Sequence, residues 1–257
     1  MRWRTHNGRI MMALIVTAVA VAITCILSRL IAQEAELPLT GSFPSREVEA
    51  KHTKCPIGSF HIARLRLRES TLRVDPMSDI NLLTAIRQRT RLNICPKRFI
   101  VTLGDDEIFN HPFVIFVGEH VPMRLNQSEA GRLRRYLLGG GFLYVDECPA
   151  KLSLREPLRG ELQRLLPEYK LERLSLSHPL YNSFYRIVRI PIAGKGGANY
   201  HEGISVNGRL VIVYSTNGEG CSWQSWKWAG PLCACLPPPF DYAFEFGINL
   251  VYYAMTH

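Results

Sequence analysis

No charged residue occurs between Ile10 and Leu27 of this 257-residue chain, although Lys, Arg, Asp and Glu make up 21% of the whole sequence. An apolar run of about 18 residues is long enough to be a candidate membrane-spanning helix. No small-x-small cleavage site precedes Gln33, which argues against a cleaved signal peptide. The sequence therefore predicts one N-terminal transmembrane helix, a retained signal anchor over residues 10–31.

Acidic residues are absent from the segment before this run, which carries Arg2, Arg4 and Arg9. Positively charged residues that flank a membrane helix stay in the cytoplasm. We therefore expect residues 1–9 to be a cytoplasmic basic tail. The chain after the anchor would face outward, which predicts a single-pass protein of the inner (cell) membrane with a periplasmic or extracytoplasmic domain.

Sustained hydrophobic periodicity is missing from residues 32–57, a polar segment with three prolines that is typical of a linker. The pattern changes near residue 58. Residues 58–257 are enough for one globular domain. Because 47% of the chain is hydrophobic, the composition excludes a disordered protein and supports a full core.

Acidic residues are also fewer than basic ones in the whole chain, 22 against 31, for a net charge of +9. A basic surface suits nucleic acid, anionic lipid or an acidic polymer. No nucleic-acid-binding motif is present, so we expect no nucleic-acid partner. Runs such as Arg64, Arg66 and Arg68 are interpreted as the solvated face of a half-exposed strand.

The seven cysteines include Cys25 inside the predicted span, which leaves six outside it: Cys55, Cys95, Cys148, Cys221, Cys233 and Cys235. In an oxidising compartment six cysteines allow 15 pairings, and the sequence leaves the choice open. Cys233-Ala-Cys235 resembles half of a metal site or a redox pair. A second Cys/His pair at zinc-like spacing is missing, so no metal site and no cofactor are predicted.

The clearest local pattern is a βαβ unit. Phe113–Val117 is a continuous β-branched and aromatic run, typical of a strand buried on both faces. Asn126 and Glu129 form a capping-box-like helix start, and Gly139–Gly141 ends that helix. Phe142–Val145 is the next strand. Such units build parallel sheets, so the sequence predicts an α/β fold with a mostly parallel sheet.

Several shorter signals fill in the rest of the domain. The periodicity and turn residues predict the following elements: a helix with Ser78 as N-cap, a helix over Arg155–Leu166, a hairpin at Asn207-Gly208, and a buried helix over Tyr242–Met255.

Polar side chains follow several predicted strands, and ligands bind outside the carboxyl ends of strands in open α/β sheets. The expected ligand-binding candidates are Asp106, Glu119, His120, Asp146, Glu147 and Asn217. The catalytic candidates are Asp146, Glu147, His120 and His178, because close carboxylates and a histidine can share acid and base roles. The alternative is that these are ordinary loop and cap residues.

Cys148 is a separate candidate, since a cysteine between a buried strand and a helix can be a nucleophile with a histidine as its base. Pro149 follows it directly, and no Gly-x-Cys-x-Gly elbow surrounds it. A structural or disulfide-bonded Cys148 is therefore favoured.

The segments RLRRYLLGGGFLYVDE, DDEIFNHPFVIFVGEH and FEFGINLVYYAMT resemble the bacterial family called domain of unknown function 4159. The likeness runs from about Phe60 to Thr256. It implies a flavodoxin-like, three-layer α/β fold similar to class I glutamine amidotransferases. It implies no activity, because the family has no established one.

In amidotransferases the catalytic cysteine lies at the turn after a strand that follows a Gly-Gly pair. The resemblance puts Asp146 at that turn and Cys148 two residues later, which argues against a thiol mechanism. We therefore expect a membrane-tethered, non-catalytic module that binds a protein or an envelope polymer, or assembles with it. The alternative is a carboxylate- and histidine-dependent hydrolase or amidotransferase-like enzyme that acts on cell-envelope carbohydrate or amides.

Overall fold

The computed structural model describes residues 54–68, 72, 74–118, 122–147, 149, 152–193, 196–224 and 240–257. All of them belong to one compact unit, Glu47–His257. The predicted tail at 1–9 and the predicted anchor at 10–31 lie outside these residues. Within the described ranges, no helix combines the length and the apolar character needed to cross a membrane.

The domain is built on one seven-stranded sheet. In chain order its strands are β1 (Ile62–Leu65), β2 (Phe99–Val101), β3 (Phe113–Val117), β4 (Phe142–Asp146), β5 (Glu172–Arg173), β6 (Glu202–Val206) and β7 (Arg209–Ser215). Their order in space is β2-β1-β3-β4-β7-β6-β5. In this spatial order the five strands from β2 to β7 are parallel to one another. β6 is antiparallel to β7, and β5 is antiparallel to β6. The predicted mostly parallel sheet is confirmed, and the order fits a flavodoxin-like fold.

Helices cover both faces of the sheet, which gives three layers. One face carries α1 (Ser78–Arg89), α4 (Glu219–Gln224) and α5 (Phe240–Thr256), and the other carries α2 (Gln127–Leu138) and α3 (Leu152–Leu165). Two apolar cores lie between the helices and the sheet. The predicted C-terminal helix is therefore confirmed, and the helix predicted from Arg155 begins three residues earlier.

The central strands β3 and β4 are buried at every position, as their apolar sequences predict. Successive side chains in a strand point to opposite faces. Tyr144 therefore lies in the core beneath α1, α4 and α5, whereas Val145 lies in the core beneath α2 and α3. The same alternation sends Asp146 toward the first core and Glu147 toward the second.

Two local predictions are confirmed and one is wrong. Asn126 and Glu129 form the capping box of α2. Asn207 and Gly208 have φ values of 51° and 81°, the left-handed backbone that a two-residue hairpin turn requires. The N-cap of α1 is Met77 and not Ser78. The Ser78 hydroxyl instead accepts a hydrogen bond from a buried arginine.

That arginine is Arg64, and its predicted place on a solvated face is wrong. All four residues of β1 are buried, and Arg64 is 1% exposed. Its guanidinium donates to Ser78 Oγ at 3.0 Å and to the Val74 carbonyl at 2.5 Å, and it lies 3.8 Å from Asp79. Burial lowers the Arg64 pKa, although Asp79 opposes that shift. The prediction failed because β1 is an inner strand covered on both faces.

A disulfide joins Cys55 to Cys95, just before β1 and β2, with their Cα atoms 4.8 Å apart. Closing a loop of 40 residues restricts the unfolded chain and stabilises the domain by about 4 kcal/mol. Cys221 is also disulfide-bonded. Cys148, Cys233 and Cys235 lie outside the described residues.

Candidate functional site

The carboxyl ends of β4 and β7 lie side by side, because Asp146 is paired with Ser215 in the parallel register. The residues that follow each strand therefore meet at one edge of the sheet. This edge is the usual ligand-binding side of an open α/β sheet. Of the predicted candidates, it brings together Asp146, Glu147 and Asn217.

Asp146 caps the amino end of α4. Its Oδ1 accepts from the backbone N–H of Glu219 at 3.2 Å, and its Oδ2 accepts from that of Gly220 at 2.6 Å. A Cβ atom on residue 220 would lie 2.8 Å from Oδ2, so glycine is what permits this close approach. Asp146 has no measurable exposure, and both of its oxygens are engaged. Its position therefore serves the fold of the β4–α4 junction.

A buried polar network continues from this cap to Glu219. His201 Nε2 lies 2.9 Å from Glu219 Oε1, and the Tyr181 hydroxyl lies 3.0 Å from His201 Nδ1. Ser215 Oγ donates to Glu219 Oε2 at 2.5 Å, and Tyr144 donates to the same oxygen at 3.0 Å. These five side chains are at most 1% exposed. Both carboxylate oxygens of Glu219 are therefore satisfied without solvent.

The charge of Glu219 is stabilised inside the protein. Burial on its own would raise the pKa of this carboxyl, but the neighbouring His201 charge and the hydrogen bonds from His201 and Ser215 outweigh it. The pKa of Glu219 is lowered as a result. The contact between His201 and Glu219 thus links the residue before β6 to α4 inside the protein.

Glu147 points to the opposite face of the sheet, and its pKa is shifted in the opposite direction to that of Glu219. The Tyr214 hydroxyl donates to its Oε2, and its Oε1 is buried with no hydrogen-bond partner in the part of the chain that the structure describes. Burial raises the pKa of Glu147, against the opposing effects of Tyr214 and Arg155. A raised carboxyl pKa is what an acid catalyst requires, so Glu147 fits that role.

Asn217 holds a loop over this edge of the sheet. Its side-chain oxygen accepts from Ala198 N–H at 2.7 Å, and its backbone carbonyl accepts from Ala193 N–H at 2.8 Å. The backbone N–H of Asn217 donates to Ser215 Oγ. Its role in the structure is therefore to fix the loop around Ala193 and Ala198 to the end of β7.

The remaining candidates lie elsewhere. Asp106 follows the edge strand β2 and pairs with Arg132 at 3.1 Å. Three inter-strand spacings, about 14 Å, separate β2 from β4. His178 accepts from Leu180 N–H at the start of a 3-10 turn, Pro179–Asn182. Glu119, His120 and Cys148 lie outside the described residues.

An open groove of about 550 Å³ runs beside the edge strand β5. It is lined by charged, hydroxyl and apolar side chains, among them Lys170, Glu172, Arg173, Ser175, His178 and Ser205. Most of these residues are exposed. Its volume falls in the range of ligand sites, about 300–1,000 Å³. Sequence reasoning identified His178 but not this groove.

Sequence reasoning also missed His201, Tyr181 and Glu219. Only the spacing of Ser215 and Glu219, four residues apart after a strand, hinted at the contact between them. No local signal connects His201 or Tyr181 to that loop, because the contact depends on how β6 is placed beside β7.

A family model described as "Domain of unknown function (DUF4159)" matches residues 61–255. This range is more than half of the 257 residues, so the chain belongs to that family. The membership agrees with the resemblance drawn from its sequence motifs. No curated protein sequence matches the chain.

Proposed function

We propose that this DUF4159 domain is a non-catalytic ligand-binding or assembly module of the bacterial cell envelope, tethered to the membrane by residues 10–31. The observation that carries the proposal is the state of Asp146 and Glu219. Both carboxylates are fully buried, and their oxygens bind the amino end of α4, His201 and Ser215. A catalytic group must be accessible to its substrate, and these two carboxylates are buried and hydrogen-bonded within the domain.

An extracytoplasmic position is supported by the disulfide chemistry. Disulfides persist in oxidising compartments and are rare in the cytosol. Cys55 is bonded to Cys95, and Cys221 is disulfide-bonded as well. The basic residues before the apolar run favour the same orientation.

The groove beside β5 is the surface that we assign to the partner, a protein or an envelope polymer. β5 is an edge strand, and edge strands present unpaired backbone N–H and C=O groups that an extended chain can bind. The lining of the groove carries both signs of charge, with Lys170 and Arg173 beside Glu168 and Glu172, and Ser175 and Ser205 add hydroxyl groups. The module would thus bind its partner away from the carboxyl ends of β4 and β7.

Catalysis is tested with the Asp146→Asn variant. The full chain in detergent, assayed with chromogenic amide, ester and glycoside substrates, should show no turnover above that of the variant. Asparagine has the same shape as aspartate and keeps one of the two accepting oxygens of the cap, so circular dichroism should show that both proteins are folded. Turnover by the wild type that Asp146→Asn abolishes would contradict the proposal.

Binding is tested with a photo-crosslinking amino acid at Ser205, which is exposed and lines the groove. The same amino acid at Ser128, an exposed position on α2, is the matched control. In intact cells we expect an adduct with one envelope protein or with the envelope polymer from position 205 only. No adduct, or equal adducts from both positions, would count against the groove.

The second candidate function is a carboxylate-dependent hydrolase centred on Glu147. Its Oε1 is buried without a hydrogen-bond partner among the described residues, and its pKa is raised. Both features favour this alternative, since a protonated carboxyl can act as a general acid. It requires substrate turnover that Glu147→Gln removes and that declines as the pH rises through the raised pKa. The same substrate assays therefore separate the two candidates.

A further inference from the structure

Three side chains of the types that bind metals meet at the amino ends of the parallel strands. Asp146 lies at the other end of the strands. The three side chains are Cys55, His61 and Cys95, and their sulfur and nitrogen ligand atoms all lie within 4.8 Å of one another. His61 directly precedes β1, and Cys95 lies four residues before β2. The parallel pairing of β1 with β2 brings them together.

The His61 ring is held in place but is not otherwise engaged. It stacks on the Phe99 ring with the centroids 4.8 Å apart and lies 5.7 Å from the His111 ring. Among the described residues, none forms a hydrogen bond or an ion pair with the His61 nitrogens. A partly exposed imidazole next to two sulfur atoms, fixed by an aromatic ring, has the properties of a metal ligand.

We propose that Cys55, Cys95 and His61 form a redox-controlled Zn²⁺ site, which binds the ion when the disulfide is reduced. Two thiolates and one imidazole are donors that zinc prefers, with Zn–S distances of about 2.3 Å and Zn–N distances of about 2.0 Å. Tetrahedral geometry at those lengths needs ligand atoms about 3.5–3.8 Å apart. All three ligand atoms lie within 4.8 Å of one another, and reduction frees the two sulfur atoms to move apart. A water molecule completes the fourth position.

The chemistry balances with a dithiol as reductant. The dithiol transfers two electrons and two protons to the Cys55–Cys95 bond and becomes a disulfide. The two protein thiols then lose two protons when they bind Zn²⁺, because the thiolate is the metal ligand. Two thiolates neutralise the charge of the ion, and His61 binds as a neutral imidazole.

The zinc site would preserve the connection that the disulfide makes. Both states fix the chain before β1 to the chain before β2, so the domain stays cross-linked under oxidising and reducing conditions. The sequence contains no paired Cys/His motif at zinc-like spacing. The three ligands come from two separate segments that only the sheet brings together, so no local motif predicts the site.

The test is Co²⁺ binding to the full chain in detergent, after reduction with a phosphine and removal of the excess. Cobalt is the spectroscopic substitute for zinc. We expect one Co²⁺ per chain, an intense thiolate-to-cobalt charge-transfer band, tetrahedral d–d bands, and displacement by Zn²⁺. The oxidised protein should give none of these signals.

Variants assign the signal to this site. Cys55→Ser with Cys95→Ser should abolish the charge-transfer band, and His61→Ala should weaken Co²⁺ binding by at least about tenfold. The matched control, Cys233→Ser with Cys235→Ser, should leave the spectrum unchanged. Because His61 is partly exposed, His61→Ala tests the site even if the double cysteine variant does not fold. The proposal is overturned if the reduced wild type lacks the band, if the band survives in the first double variant, or if the control loses it.

Discussion

Replacing Glu219 with glutamine should lower the free energy of unfolding at pH 7 by about 3 kcal/mol, measured by urea denaturation of the full chain in detergent. His201 and Glu219 are both fully buried, so the substitution removes the buried carboxylate that the imidazole contacts at 2.9 Å. The amide also replaces one of the two oxygens that accept hydrogen bonds from His201, Ser215 and Tyr144.

The pH dependence of this effect has a defined sign. The folded-state pKa of Glu219 lies below the ordinary value of 4.5. The stability it contributes is therefore fully present above pH 4.5 and is lost as the pH falls through the folded-state pKa. Acidification below pH 4.5 should destabilise the wild type, and Glu219→Gln should lack that part of the loss.

Glu147→Gln is the matched control, because the pKa of Glu147 is shifted in the opposite direction. A carboxyl whose folded-state pKa is raised loses stability as the pH increases above 4.5. Glu147→Gln should therefore be least harmful near neutral pH, where Glu219→Gln is most harmful. Parallel pH profiles for the two variants would contradict the assigned charge states.

The second large effect is expected from Arg64→Met, which should reduce the free energy of unfolding by about 3–5 kcal/mol in the same measurement. The substitution removes the donor to Ser78 and Val74 and a buried counter-charge of Asp79. Asp79 keeps its ion pair with Arg98 at 3.3 Å. The loss of stability is therefore smaller than it would be for a buried carboxylate without any counter-charge.

Arg68→Met is the control for this prediction. Arg68 belongs to the same arginine run, but its side chain is 57% exposed and its pair with Glu129 is long. Its replacement should change stability by no more than about 1 kcal/mol. Adding Asp79→Leu to Arg64→Met should recover part of the loss, since a buried pair replaced on both sides is often nearly neutral. Equal effects of Arg64→Met and Arg68→Met would contradict the burial of Arg64.

The parts of the fold that the sequence predicted correctly have local signals. Apolar runs, the Asn126 capping box and a glycine stop predict the β3–α2–β4 unit. Asn207-Gly208 predicts the hairpin. The burial of Arg64 had no such signal. Alternation within β1 indicates two faces but does not show that helices cover both.

The sequence also indicates which residues lie near the carboxyl ends of the strands. Asp146 and Asn217 were proposed as candidates because they come soon after predicted strands, and parallel strands end at one edge of the sheet. What Asp146 does there could not be predicted, because the amino end of α4 is placed by packing between distant segments. The same packing brings His201 to Glu219 and Tyr181 to His201. No local sequence pattern around His201 or Tyr181 predicts these contacts.

The disulfide just before β1 also determines where a mechanical load enters the domain. A pull on the chain ahead of Cys55 passes directly through the covalent bond to Cys95. The residues between them, including β1 and α1, do not carry the force, so β1 stays paired in the sheet. A domain tethered at its N-terminal end, as proposed above, would then resist extension through covalent bonds at its first attachment point. Reduction of this disulfide without a bridging metal ion would shift the force onto the hydrogen bonds of β1.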